Sequence, residues 1–152
     1  MEIRFIRLPG NRCEISVSGR EGPDLRLPAV RVGHILPHDL MHAAVERALG
    51  LDDGLWGAIA RGAMIDGTTF ADVRQNGDTG MKKALSRGGD GIMDAEIKVN
   101  TAYRAWRGLP LPAGRAPAPL DAAELERAGK AIAEAAERWE GTPEGGALVW
   151  HW

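Results

Sequence analysis

The sequence predicts an α+β domain: a small antiparallel sheet, built from the N-terminal strands and the C-terminal strand, packed against about four helices. Three observations predict it. Apolar residues recur at every second position through the first part of the chain and again in the tail "GGALVWHW", which is the strand period. The segments between place apolar residues at helical spacing. The length of 152 residues is the usual size of one domain, so 1–152 is read as a single unit.

The elements follow in order. "EIRFIRL" and "CEISVSG" alternate, and "PGNR" between them supplies turn chemistry. "LRLPAVRV" continues the meander, with Pro28 marking an edge strand or two short pieces. The period then lengthens. Pro37 suits a first helical turn, the helix runs to about Leu49, and Gly50 suits its end. "LDDGLWGAIARGAM" reads as a shorter helix capped by Asp52 or Asp53. Residues 66–91 are polar and glycine-rich and read as a long loop that covers a site, broken by a short helical turn around Met81 to Ser86. "IMDAEIKVNTAYRAW" is a helix with Ile92, Ala95, Val99, Ala102, Tyr103 and Trp106 as its stripe. The proline-rich "GLPLPAGRAPAPL" is an extended linker.

Asp121 opens the last helix, and "DAAE" has capping-box spacing. Leu125, Ala128, Ile132, Ala135 and Trp139 form its stripe, and Gly141 ends it. In the tail, Leu148, Trp150 and Trp152 share one strand face. The strand is expected to pair with the N-terminal strands. Its tryptophans either cap the core or join two copies in a homodimer.

Composition narrows the function classes. The chain is 44% hydrophobic and 26% charged, with a net charge of −2. No basic surface announces nucleic acid. No run approaches the ~18 apolar residues of a membrane helix, and the N-terminus lacks the apolar core of a signal peptide. Cys13 is the single cysteine, which rules out an internal disulfide and a cysteine-rich zinc module. The expectation is a cytoplasmic protein in which Cys13 is a buried, inert thiol.

The chemistry concentrates in "HILPHDLMHAAVERALG", which holds three of the four histidines. On a helical wheel, Met41, Ala44, Val45, Ala48 and Leu49 form the core arc, and His38, His42 and Glu46 fall along its border with solvent. A border is where a cleft forms and where half-buried polar groups shift their pKa. It is also where any amphipathic helix keeps its polar side chains. His38 and His42 stand at i, i+4, the spacing with which two imidazoles chelate zinc. Glu46 is eight residues from His38, about 12 Å along the axis, too far to share a tetrahedral ion with it. Its role would be to orient a ligating imidazole or to move protons. Asp39 follows His38 as the general-base Glu follows His in H-E-x-x-H, or it simply meets the positive end of the helix dipole. A third ligand must come from elsewhere: His34, Asp52, Asp53, Asp66, Asp72, Glu96 or His151.

"LPHDLMHAAVERALGLDDGLWGAIARGA" resembles a small set of bacterial proteins that carry a PHDLxHxxVE core, then LGL and a G-x-W/F-G step. That resemblance implies no activity. The HDxxH core, here His38, Asp39 and His42, is also similar to that of the Coq4 ubiquinone-biosynthesis family. There a later Glu completes a metal site, and the matching position here is Gly54, with Asp53 just before it.

Two functions follow as expectations. The first is a metal-dependent hydrolytic enzyme acting on a small molecule, with His38, His42 and His34 binding Zn²⁺ or another divalent ion and with Asp39 or Glu46 moving protons. The second is a non-catalytic binding or assembly protein in which the histidine helix is a polar rim.

Overall fold

The computed structural model describes residues 1–33, 35–64, 69–70, 81–110 and 120–152, with side chains for all of these except 69–70 and 81–89. His34, half of the segment read as a covering loop and most of the proline-rich linker lie outside the described residues.

The expected α+β architecture is present. Strands β1 (Glu2–Leu8), β2 (Arg12–Ser18) and β3 (Leu25–Arg31) form the meander. β5 (Ala147–His151) returns to pair antiparallel with β1, with Ile3 opposite Trp150 and Phe5 opposite Leu148. A two-residue strand, β4 (Thr69–Phe70), pairs with the start of β3. The sheet order is β4-β3-β2-β1-β5. The strand period has the predicted consequence: Ile3, Phe5, Cys13, Ile15, Val17 and Leu25 are buried on one face. Gly10 and Asn11, at φ 76° and 54°, make the left-handed turn between β1 and β2. Pro28 does not split β3. The register shifts between Cys13 and Ile15 of β2, opposite Pro28, so the missing donor falls in a bulge.

Four helices cover the buried face: α1 (His38–Leu49), α2 (Leu55–Ala60), α3 (Met81–Arg107) and α4 (Ala122–Glu140). α1 packs against the other three. Its consecutive residues Leu40 to Glu46 are all buried, so it is a core helix rather than a half-solvated one. That overturns the border position expected for His42 and Glu46. The centres of the α3 and α4 stripes are buried, at Ala95, Val99, Ala102, Tyr103, Ala128, Ile132, Ala135 and Trp139, while Ile92, Trp106 and Leu125 are only partly buried. Among the described residues, no helix is long and apolar enough to cross a membrane.

Residues 81–91 also depart from expectation. They belong to one continuous helix, α3, and not to a loop. The reason is visible at Gly91, where a Cβ would lie 2.5 Å from the Asp53 carbonyl oxygen. This glycine lets α3 pass close to the turn before α2, so it serves packing rather than chain reversal.

The capping box at α4 forms as read. Asp121 accepts from the Glu124 N–H, and Glu124 accepts from the Asp121 N–H, both at 2.8 Å. At the other end Gly141 stays right-handed at φ −71°, so no left-handed cap closes the helix. Arg7 of β1 does so instead, donating to the carbonyls of Trp139, Glu140 and Thr142 at 3.1, 3.1 and 2.8 Å. Its guanidinium also lies 5.6 Å from the centre of the Trp139 ring. Replacing Arg7 by Met is expected to lower the unfolding free energy by about 2 kcal/mol, because charge-assisted bonds to the helix end are lost. Urea denaturation of the variant beside the wild type measures it.

Candidate metal centre

The site begins with the end of α2. Neither Asp52 nor Asp53 caps this helix, whose N-cap is Gly54 without any side-chain cap bond of its own. The cap comes from α1. The Glu46 carboxylate, fully buried, accepts from the Leu55 N–H at 2.9 Å and from the Trp56 N–H at 3.0 Å. It also accepts from His42 Nδ1 at 2.8 Å. Asp53 instead pairs with Arg61 at the surface. Gly54 makes room for this arrangement, since a Cβ there would meet the Glu46 carboxyl carbon at 2.5 Å. Trp56 locks the two helices from the other side. Its indole N–H donates to the Asp39 carbonyl at 2.8 Å, and its ring meets Phe5 edge-on.

A carboxylate can only accept, so the bond to Glu46 fixes the proton on His42 Nδ1. His42 Nε2 is thereby aimed across the helix interface, where it lies 2.9 Å from Glu96 Oε2 of α3. His38, one turn earlier, repeats the pattern at looser distances. Its Nδ1 is 3.8 Å from Asp39 Oδ1 and its Nε2 is 3.6 Å from Glu96 Oε1. The two imidazole rings stand 4.7 Å apart. Both Nε2 atoms therefore converge on one carboxylate, and each Nδ1 faces a carboxylate of its own.

One ligating atom each from His38, His42 and Glu96 lies within 4.8 Å of the others. Donors of a tetrahedral ion with bonds near 2 Å sit about 3.3 Å apart, so small side-chain movements would close the set. Among the described residues, Glu96 is the one of the seven candidates named from the sequence that joins the two histidines in this group. The expected His34 lies outside the described residues. Asp66 and Asp72 do as well, whereas His151 is exposed on β5 with its carbonyl bonded by Arg47. Glu46, proposed from sequence to orient an imidazole or move protons, has its oxygens held by three donors away from solvent, the geometry of an orienting group. Asp39 sits at the half-open rim. The signal for Glu96 is a carboxylate one residue past the buried Ala95 on α3, at the edge of the helix's core stripe.

The electrostatics follow from this crowding. Asp39 first, then Glu96, hold the His38 imidazolium, pushing its pKa up to about 9 against the opposing effect of burial. Burial works strongly against charge on His42, yet its bonds to Glu46 and Glu96 win and the direction is upward. The same two histidines hold the Glu96 carboxyl well below the usual carboxylate range. Cys13 stands apart: buried in the sheet core and pushed up to about 12 by desolvation, it is an inert thiol. A cavity of about 250 Å³ opens beside His38 and Glu96, with Met41 in its wall.

Two outcomes test this site. Glu46→Gln leaves one acceptor oxygen and an N–H₂ facing three donors, and is expected to destabilise the fold by about 3 kcal/mol; Gly54→Ala, through the carboxylate it displaces, by about 1–3 kcal/mol. Chemical denaturation reads both. A histidine whose folded pKa is raised stabilises the fold fully below its unfolded value and loses that contribution as pH rises through the folded one. Chelator-treated protein is therefore expected to lose stability as pH rises from about 6.5 through the His38 value of about 9, and His38→Gln is expected to flatten that slope in thermal melts. No known protein family, curated protein or solved structure matches the chain, so the reading of this centre rests on its own side chains.

Proposed function

We propose that the protein is a metal-dependent enzyme of hydrolytic type, with His38, His42 and Glu96 as the ligands of one divalent ion. One observation carries the reading. Both imidazole Nε2 atoms and a carboxylate converge, while each Nδ1 is backed by its own carboxylate. For His42 that backing is a 2.8 Å hydrogen bond that fixes tautomer and ring orientation and raises ligand basicity, as in carboxylate–histidine–metal arrangements; for His38 it is a looser ion pair at 3.8 Å. Two histidines and one carboxylate, with room left beside them, form the donor set of catalytic rather than structural zinc. The same set suits Fe²⁺, but zinc fits a chain whose other groups at the site are proton carriers. A bound ion lowers the pKa of its water towards about 7. Asp39, on the Nδ1 side of His38 at the rim, would orient that ring as Glu46 orients His42. The cavity admits a small-molecule substrate. A lone buried thiol suits a reducing cytoplasm, to which we assign the enzyme.

The second reading is a binding or assembly protein in which the His42–Glu46 pair only braces α2. Its support is that Glu46 completes the α2 cap without any ion, and that Met93 and Ile97 are exposed on the outer side of α3.

Elemental analysis of untagged protein, purified without chelators or nickel resin, separates the two. The expected result is about one zinc per chain, absent from His38→Ala and Glu96→Ala variants that keep the wild-type circular dichroism spectrum. No metal in the wild type, with no rise in Tm on adding Zn²⁺, overturns the enzyme reading and leaves the brace.

A further inference from the structure

The cavity beside the candidate metal centre has a second polar end. Glu96, Asn100 and Arg104 stand at i, i+4 and i+8 on α3, and all three line it together with His38. Asn100 is one turn from Glu96, about 6 Å along the axis, and Arg104 is two turns away, about 12 Å. Side chains on a helix tilt towards its N-terminus, which brings the guanidinium back towards the ligand carboxylate. Neither Asn100 nor Arg104 has an ion-pair or hydrogen-bond partner for its side chain among the described residues. Both are half-buried. Met41, Leu109 and Tyr103 line the walls between.

An unpaired arginine in a concave wall differs from the other arginines of this chain that close the fold. Arg7, Arg47 and Arg138 are each spent on backbone carbonyls, and Arg61 on Asp53. Among the described residues Arg104 keeps its fork of donors free, beside a cavity that His38 and Glu96 also line. A guanidinium matches a carboxylate or phosphate with two parallel bonds, where a lysine offers only a point charge. The carboxylates of Glu96 and Asp39 would repel an anion from this cavity. A divalent ion at the histidines reverses the local field, so an anionic ligand and the metal favour each other.

We propose that the cavity binds a small molecule by an anionic oxygen head, seated on Arg104 and steadied by Asn100, with its other end at the metal. This rests on the metal reading above. The head is a carboxylate or a phosphate, and the volume of about 250 Å³ lies below the roughly 300–1,000 Å³ of sites for drug-sized ligands. The substrate is therefore a small acid or phosphorylated metabolite rather than a peptide or polymer.

Isothermal titration calorimetry of Zn²⁺-loaded protein with acetate, succinate, glutarate and inorganic phosphate tests it, beside Arg104→Gln, Arg104→Lys and Asn100→Ala variants checked for metal content and Tm. The expected result is that succinate or glutarate, which can reach both ends, or phosphate binds the wild type at least about tenfold more tightly than Arg104→Gln at equal zinc content, with Arg104→Lys between them. A preference for the dicarboxylates assigns a carboxylic acid, and a preference for phosphate assigns a phosphorylated ligand; either supports the seat. Anion affinity indifferent to Arg104, or no anion bound by zinc-loaded protein, overturns this proposal and leaves the metal reading intact. Failure of the wild type to take up Zn²⁺ overturns both.

Discussion

A single buried carboxylate organises this molecule. Glu46 is wholly inside, and a charge there is tolerated only when every lone pair it turns inward is met. Three donors meet it: two N–H groups from the first turn of α2 and one from His42. The arrangement solves two problems at once. α2 begins at a glycine and has no cap of its own, and a helix that starts with unpaired buried N–H groups is costly. His42 is a buried imidazole that needs a fixed proton. Remove the carboxylate and both problems return together, so the short α2, the turn that carries Gly54 and the direction of His42 Nε2 stand or fall as one unit.

That unit explains why "HDLMHAAVERALGLDDGLWG" is dense with unusual choices. Gly54 is small because the carboxylate occupies the space of its side chain, and Gly57 is small because a Cβ would overlap the Asp52 carbonyl. Trp56 sits where its N–H reaches back to α1 and its ring reaches the sheet. Each is a consequence of holding α2 against α1, and the rest of the core is ordinary. The three N-terminal strands, the α1 boundaries, the capping box of α4 and the return of the tail to the N-terminal strands were legible because each depends on local period or on a cap a few residues long.

What was not legible has one physical cause. A wheel assigns histidine and glutamate to the rim because isolated polar groups belong in water. Only the partner helices show that α1 is enclosed and that its polar residues are paired inside. The cap on α2 was sought in Asp52 and Asp53, the nearest carboxylates in sequence, while the accepting carboxylate came from a residue nine positions back from Leu55. Glu96 was one acidic residue among several, and it became distinct only when α3 crossed α1 at His38 and His42. The glycines of α3 read as breakers because sequence cannot show a backbone passing close by, as it does at Gly91.

The charge balance of the centre then limits what can fill it. Asp39, Glu46 and Glu96 bring three negative charges towards His38 and His42. With both imidazoles neutral, His42 Nε2 would point a lone pair at a carboxylate oxygen 2.9 Å away, a contact that costs energy without a proton or a cation between them. Protons on both rings reduce the sum from −3 to −1, and that need is why both pKa values rise. A divalent cation on two neutral rings leaves the same −1. Ion and protons are interchangeable in charge, and they compete for the same Nε2 lone pairs. The raised pKa values and the convergence of the two Nε2 atoms on Glu96 are thus two expressions of one excess of negative charge, built around a His42 whose other nitrogen is already committed. A site made only to brace α2 needs Glu46 and the Nδ1 of His42; it does not need His38 and Glu96 to complete the convergence.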